Sequence, residues 1–123
     1  MVAKVADASV IAALAFGEPR AEEAMLLLRG ATLYEPLLLS FELVSVARKK
    51  ALENREQAGT IKRALTLALE MDIRWSETDF SDVFRLALNT DLTTYDAVYL
   101  SLACRLGVPL ITFDKGLAAA AQC

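Results

Sequence analysis

The chain has 123 residues, a formal net charge of −3, 55% hydrophobic and 24% charged side chains, and only five Gly and three Pro. That is the size of one compact domain, read as residues 1–123 together, and the composition excludes disordered, low-complexity and collagen-like classes. Histidine is absent, which removes Ser-His-Asp triads, Cys-His pairs and histidine-containing zinc sites and leaves acid–base chemistry to carboxylates, hydroxyls, Lys or a metal-bound water.

Val2 to Ala6 is a short β-branched run that predicts a strand ending at Asp7, and Ser9 to Phe16 predicts a helix apolar on most sides, as one packed on a sheet is. Lys4 ahead of apolar residues gives this start a superficial likeness to a secretion signal. Asp7 interrupts it, however, and the apolar run falls far short of the ~20 residues that span a bilayer. No other segment predicts targeting or membrane insertion. Gly17 and Pro19 punctuate the chain before a second helix from Pro19, with Glu22 and Glu23 in its first turn, Arg29 in its last and Gly30 closing it. Ala31 to Tyr34 predicts the second strand. Pro36 opens a long helix to about Asn54, with Leu38, Phe41, Val44, Ala47 and Leu52 at helical spacing, and another helix is predicted from about Arg55 to Met71. Asp72 to Trp75 reads as a third strand, followed by a helix capped by Ser76 or Thr78 and ending near Asn89. Thr93 or Thr94 starts a helix to Leu106 that Gly107 terminates, and Pro109 to Phe113 reads as a buried strand ending at Asp114. Strands separated by helices imply right-handed crossovers and an α/β three-layer sandwich: a central parallel sheet flanked by helices.

Two cysteines, Cys104 and Cys123, are too few for a disulfide scaffold and lack zinc spacing. The default is a reduced cytoplasmic protein with Cys104 as a small core residue. Two Asn and two Gln with no His are in keeping with a thermophile, where an intracellular disulfide is less surprising. The glycines form neither G-x-G-x-x-G nor a P-loop.

Four carboxylates stand where a carboxylate is costly. Asp7 and Asp114 end apolar strands, at the carboxyl edge where α/β sheets bind ligands. Glu42 is embedded in Phe41-Glu42-Leu43-Val44, and Asp96 in Tyr95-Asp96-Ala97-Val98. A buried acid must reach solvent, find a cation or be protonated. If the four share a cleft, the natural partner is a divalent ion, and oxygen ligands without His or Cys favour Mg²⁺ or Mn²⁺. Taken singly, each also has a structural reading. Asp7 and Asp114 suit helix N-caps, Glu42 an exposed residue or a partner of Arg48, and Asp96 the N3 position of a capping motif begun by Thr93. Glu35, Asp79, Asp82 and Asp91 are assigned to turns and solvated helix ends, with Asp91 the first reserve for the site.

Asp7-Ala-Ser9 after a strand, Ser40-Phe-Glu42-Leu, Thr93-Thr-Tyr-Asp96-Ala-Val-Tyr-Leu-Ser-Leu-Ala and Thr112-Phe-Asp114-Lys-Gly-Leu, in this order and spacing, together resemble a PIN domain. The likeness covers nearly the whole chain and is greatest to the toxin component of VapBC toxin–antitoxin systems. It implies a central parallel sheet and a Mg²⁺- or Mn²⁺-dependent endoribonuclease whose catalytic, metal-holding quartet falls on Asp7, Glu42, Asp96 and Asp114, with Ser9 and Thr112 as supporting hydroxyls. It also implies an RNA substrate and a cognate antitoxin. A homodimer is expected from the apolar runs Leu37-Leu38-Leu39 and Ala24 to Leu28 as well as from the likeness. Between residues 48 and 63 six basic residues, Arg48, Lys49 and Lys50 among them, face two acidic ones, a patch able to follow an RNA backbone or simply a solvated helical hairpin. The competing readings are an RNA-processing nuclease without an antitoxin, a phospho-accepting signalling domain, which leaves Glu42 and Asp96 unexplained, and a D-x-D phosphohydrolase, in which Ser9 occupies the second acid's place.

Overall fold

In the computed structural model, which describes residues 2–123, four strands form one parallel sheet: β1 (Val2–Ala6), β2 (Ala31–Pro36), β3 (Ile73–Ser76) and β4 (Leu110–Ile111). Their order is β3-β2-β1-β4. The helices are α1 (Ala8–Ala15), α2 (Ala21–Leu28), α3 (Leu38–Glu53), α4 (Ala58–Leu69), α5 (Phe80–Asn89), α6 (Thr94–Leu106) and α7 (Lys115–Ala120). From β1 to β2 to β3 the chain steps in one direction across the sheet, so right-handed crossovers put α1 to α4 on one face, where α1 packs against α2, α3 and α4. The return from β3 to β4 runs the other way. It places α6 across β1, β2 and β4, with α5 packed on α6. The strand order therefore reverses at β1, and the crevice at the carboxyl ends of β1 and β4 is the ligand position of an open α/β sheet.

The core is centred on β1 and the helices against it. Val5, Ala6, Val10, Ile11, Leu39 and Leu43 are fully enclosed, and Ala97 to Ala103 of α6 are buried throughout. This explains why α6 lacks a polar face: one side meets the sheet and the other meets Val83, Leu86 and Ala87 of α5. Gly107 ends α6 at φ 66°, a left-handed conformation that glycine adopts without strain. Among the described residues no helix is long and apolar enough to cross a membrane.

The structure corrects several predicted boundaries. The second strand runs two residues further, to Pro36, so Pro36 ends β2 instead of opening a helix, and α3 begins at Leu38. Pro19 lies in the turn before α2, which starts at Ala21. Arg55–Gln57 is a separate 3₁₀ turn ahead of α4. The third strand is shifted by one residue, to Ile73–Ser76, and the expected strand from Pro109 to Phe113 pairs only at Leu110–Ile111. Neither Ser76 nor Thr78 caps α5; Asp79 does, accepting from the Asp82 backbone N–H at 3.0 Å.

The reduced-cysteine expectation is also overturned. Cys104, near the end of α6, is bonded to Cys123, with a Cα–Cα distance of 5.2 Å, and so is not a free core thiol. The bond closes a segment that contains β4 and α7. A cross-link over 19 residues chiefly restricts the unfolded chain and is worth about 3 kcal/mol. Reduction, or the substitution Cys123→Ser, is expected to lower the melting temperature by the equivalent amount. Calorimetric scans of the wild type with and without reductant check this, and a reductant-insensitive melt refutes it.

Candidate active site

The site grows from the end of β1. Val5 and Asp7 turn their backbone N–H groups to Pro109 and Ile111 of the β4 side, at 3.0 and 3.1 Å. Asp7 then leaves the sheet and caps α1. Its Oδ1 accepts from the Ser9 backbone N–H at 3.1 Å and from the Ser9 hydroxyl at 2.6 Å, while its Oδ2 accepts from the Thr112 hydroxyl. Both hydroxyls are themselves acceptors: Ser9 Oγ takes the Phe113 N–H and Thr112 Oγ1 the Asp114 N–H, each at 3.0 Å. Asp114 in turn caps α7 through the Leu117 N–H at 2.9 Å. The helix-cap reading is therefore realised: each of these aspartates satisfies a helix N-terminus with one oxygen, at the carboxyl ends of β1 and β4.

Glu42 on α3 and Asp96 on α6 lie within electrostatic reach of Asp7. Glu42 is half-buried and accepts from the Tyr99 hydroxyl at 2.6 Å. Thr93 caps α6 through the Asp96 N–H at 3.1 Å, which leaves the Asp96 carboxylate in the first helical turn. Burial pushes the Glu42 carboxyl above its ordinary range; the Tyr99 hydroxyl opposes this, and the charges of Asp7 and Asp96 add to it. Burial likewise raises Asp96, with Asp114 and Asp7 adding repulsion. Glu42 and Asp96 thus each feel Asp7 as a like charge, and Asp96 also feels Asp114.

Among the described residues no three His, Cys, Asp or Glu side chains are already gathered into a ligand set for an ion. The donor chemistry nevertheless fits a hard divalent cation: only oxygens are offered, from carboxylates that repel one another.

Two residues at this site escape the sequence reading. Glu35 is not in a turn; it is a strand residue, wholly buried on the same face of β2 as Leu33. Its Oε2 accepts the Ala6 N–H at 2.9 Å, continuing with a side chain the ladder that main-chain pairing carries only to Lys4 and Leu33. Its Oε1 is enclosed without a partner. Burial pushes the carboxyl up to about 9, against the Ala6 N–H and with help from Asp7, so Glu35 is a neutral acid at pH 7. The signal for it was the period of two, which puts residue 35 on the face of Leu33 once the strand extends to Pro36. Tyr99 is buried, and its hydroxyl is driven upward by burial, by its bond to Glu42 and by the charges of Glu35 and Asp7. Asp91, the reserve, lies exposed between α5 and α6, and Asp82 accepts from Ser101 and Arg85.

The basic run is divided. Successive residues of a helix point about 100° apart, so Arg48 lines a groove between α3 and α4, Lys49 is exposed, and Lys50 pairs at 2.7 Å with Glu18 in the loop after α1.

Comparison with known proteins matches residues 4–122 to the family model described as PIN domain. The chain is 32% identical over 119 residues to Ribonuclease VapC3 of Pyrobaculum aerophilum, covering 93% of this chain and 91% of that one. It superimposes on the crystal structure of PAE2754 from Pyrobaculum aerophilum with a TM-score of 0.80 at 28% identity, over 98% of this chain and 81% of that one. The fold is also that of VapC20 of Mycobacterium tuberculosis, a sarcin-ricin loop cleaving toxin, with a TM-score of 0.70 at 15% identity over 98% and 96% of the two chains.

The buried acid at position 35 sets a pH dependence. Below pH 4.5 folded and unfolded chains both hold its proton; between 4.5 and about 9 only the folded chain does, so its contribution to stability falls as pH rises across that window. Glu35→Gln keeps the acceptor for Ala6 without a proton to take up. It is expected to stabilise the metal-free protein by on the order of 2–3 kcal/mol at pH 7 and by far less at pH 4. Denaturant unfolding at the two pH values checks this; equal effects at both, or a destabilised Gln variant at pH 7, refute it.

Proposed function

The chain belongs to the PIN domain family, and from that premise we propose that it is a divalent-metal-dependent endoribonuclease, the toxin of a toxin–antitoxin pair, built as a single nuclease domain. The observation that carries the reading is that Asp7, at the carboxyl edge of the sheet, is within electrostatic reach of both Glu42 of α3 and Asp96 of α6, and that Asp96 is also within reach of Asp114. The 32% identity to a protein named ribonuclease, over nearly all of both chains, supports the same activity.

VapC-type PIN nucleases are generally divalent-metal dependent. In this chain Asp7, Glu42, Asp96 and Asp114 are the proposed ligands, for Mg²⁺ or Mn²⁺ by their all-oxygen character. Such an ion, when bound, supplies Lewis acidity that acidifies a water and offsets charge on the phosphodiester. The protein's own part is orientation. Ser9 and Thr112 fix both oxygens of Asp7, and through the Phe113 and Asp114 amides they fix the chain that carries Asp114. Tyr99 holds Glu42, and Thr93 starts the helix that presents Asp96.

Partner binding is proposed at the apolar surface. Phe80, Phe84 and Leu88 recur every four residues along α5 and are 67–79% exposed, and Leu37, Phe41 and Tyr95 are more than 60% exposed. Of the runs expected to be exposed, Leu39, Ala24 and Leu28 are buried in the core, while Leu37, Met25 and Leu26 remain outside. An apolar stripe of this length suits a second copy of the chain or an amphipathic antitoxin segment.

Cleavage of single-stranded RNA is expected to stop in EDTA and resume with Mg²⁺ or Mn²⁺; Asp7→Asn and Asp96→Asn are each expected to lower the rate by about 10² or more. Undiminished cleavage in EDTA by pure protein overturns the reading.

The repulsion among the acids makes a separate prediction for stability. Asp96→Asn is expected to raise the melting temperature of the metal-free protein and to weaken the gain on adding Mn²⁺, whereas a purely structural aspartate predicts a lower melting temperature. Thermal melts of both proteins in EDTA and in excess Mn²⁺ decide the matter.

A further inference from the structure

Beside the acids lies a cavity of about 580 Å³ that they do not fill, bordered by Ser9 and Phe113 on the site side and by Phe16, Arg20 and Lys50 on the other. None of the four acids lines it, but Ser9 of its wall donates to Asp7 and accepts from the Phe113 amide, so the cavity lies one hydrogen bond away from the proposed cutting centre. It is large enough for a nucleoside. Its walls combine two half-buried aromatic rings with two cations, the combination that takes up unstacked bases of single-stranded RNA.

The state of the two cations decides what the cavity recognises. Lys50 is paired with Glu18 at 2.7 Å. Arg20 has its Nε and Nη2 edge on the Glu23 carboxylate, at 2.7 and 2.9 Å, and one face of its guanidinium over the Phe113 ring, 3.7 Å from the centroid. Each cation is already matched by an acid, so the cavity has little net positive charge with which to draw in a phosphate. What Arg20 retains is the outer face of a plane held flat by Glu23 and Phe113. That face is a stacking surface, and a planar heterocycle is the ligand it suits.

We propose that Arg20, stacked on Phe113, forms a nucleobase subsite for the nucleotide beside the scissile phosphate. The subsite rests on the ribonuclease reading and extends it by assigning the side chains that hold a base of the substrate. A protein segment is the competing occupant. It is disfavoured because the free surface is a flat guanidinium face whose charge Glu23 already matches and because the exposed apolar stripe lies elsewhere, on α5.

The test uses full-length protein in EDTA, so that binding is read without cleavage. The probe is a single-stranded oligoribonucleotide carrying 2-aminopurine at successive positions around the cut mapped with the metal-loaded wild type. Fluorescence is expected to be quenched when the probe base is next to the cut. Arg20→Ala, an exposed change whose fold is verified by its melting curve, is expected to weaken binding about tenfold. Arg20→Lys, which keeps the charge and loses the plane, is expected to behave like the Ala variant. Placing an abasic nucleotide at that position is expected to erase the difference between wild type and Arg20→Ala. Restoration by Lys, a loss that persists on the abasic RNA, or equal binding by all three proteins overturns the subsite. Variants that bind RNA normally but lose a protein partner assign the cavity to that partner and also overturn it. A wild type that neither binds nor cleaves RNA instead refutes the ribonuclease reading on which the subsite rests.

Discussion

The carboxylate of Asp7 is the fixed point of the molecule. It stands where the strand order reverses, and it accepts from the Ser9 amide, the Ser9 hydroxyl and the Thr112 hydroxyl at once. An aspartate only 5% exposed is tolerable because these donors surround it. The same two hydroxyls pass the order onward as acceptors for the Phe113 and Asp114 amides. The first helix, the last helix and the end of β4 are thus held by one hydrogen-bond network, and the other two acids come to it from helices packed on either side of the sheet.

Around this point the fold holds several acidic groups in surroundings that disfavour their charge. Glu35, Glu42 and Asp96 are all raised by burial first and by neighbouring carboxylates second. In Glu42 and Asp96 the conflict belongs to the proposed site, where a bound cation would relieve it. Glu35 is different. It is neutral and wholly enclosed, and its one bond, to Ala6, fixes the residue before Asp7. An apolar side chain there would remove the buried oxygen but leave the Ala6 amide with no acceptor, and an unpaired buried amide is also costly. The glutamate therefore sits between two penalties.

Much of this was legible in the sequence. Asp7 and Asp114 each end an apolar strand, Glu42 and Asp96 each interrupt an apolar helical run, and both signals are visible without coordinates. The parallel sheet followed from the alternation of strands and helices. Glu35 is hidden because a proline reads as the start of a helix, which cuts β2 short at Tyr34 and moves the glutamate from a buried face to a turn. The disulfide escaped because a pair of cysteines 19 residues apart carries no signal of proximity; only the return of the chain past α6 after β4 brings them together. The basic run at 48–50 showed the opposite failure. Adjacent in sequence, its members fan out around α3, and Lys50 shares a cavity with Arg20, which lies 30 positions earlier.

The bond from Thr112 to Asp7 spans 105 positions, and this separation bears on how the protein is made. Synthesis runs from the amino end at about 5–20 residues per second, so roughly 5–20 s separate the appearance of Asp7 from that of Asp114. During that interval the nascent chain has neither Thr112 to hold Asp7 nor Asp114 to complete the acidic group. The proposed acidic site is therefore incomplete on the nascent chain until synthesis has passed residue 114.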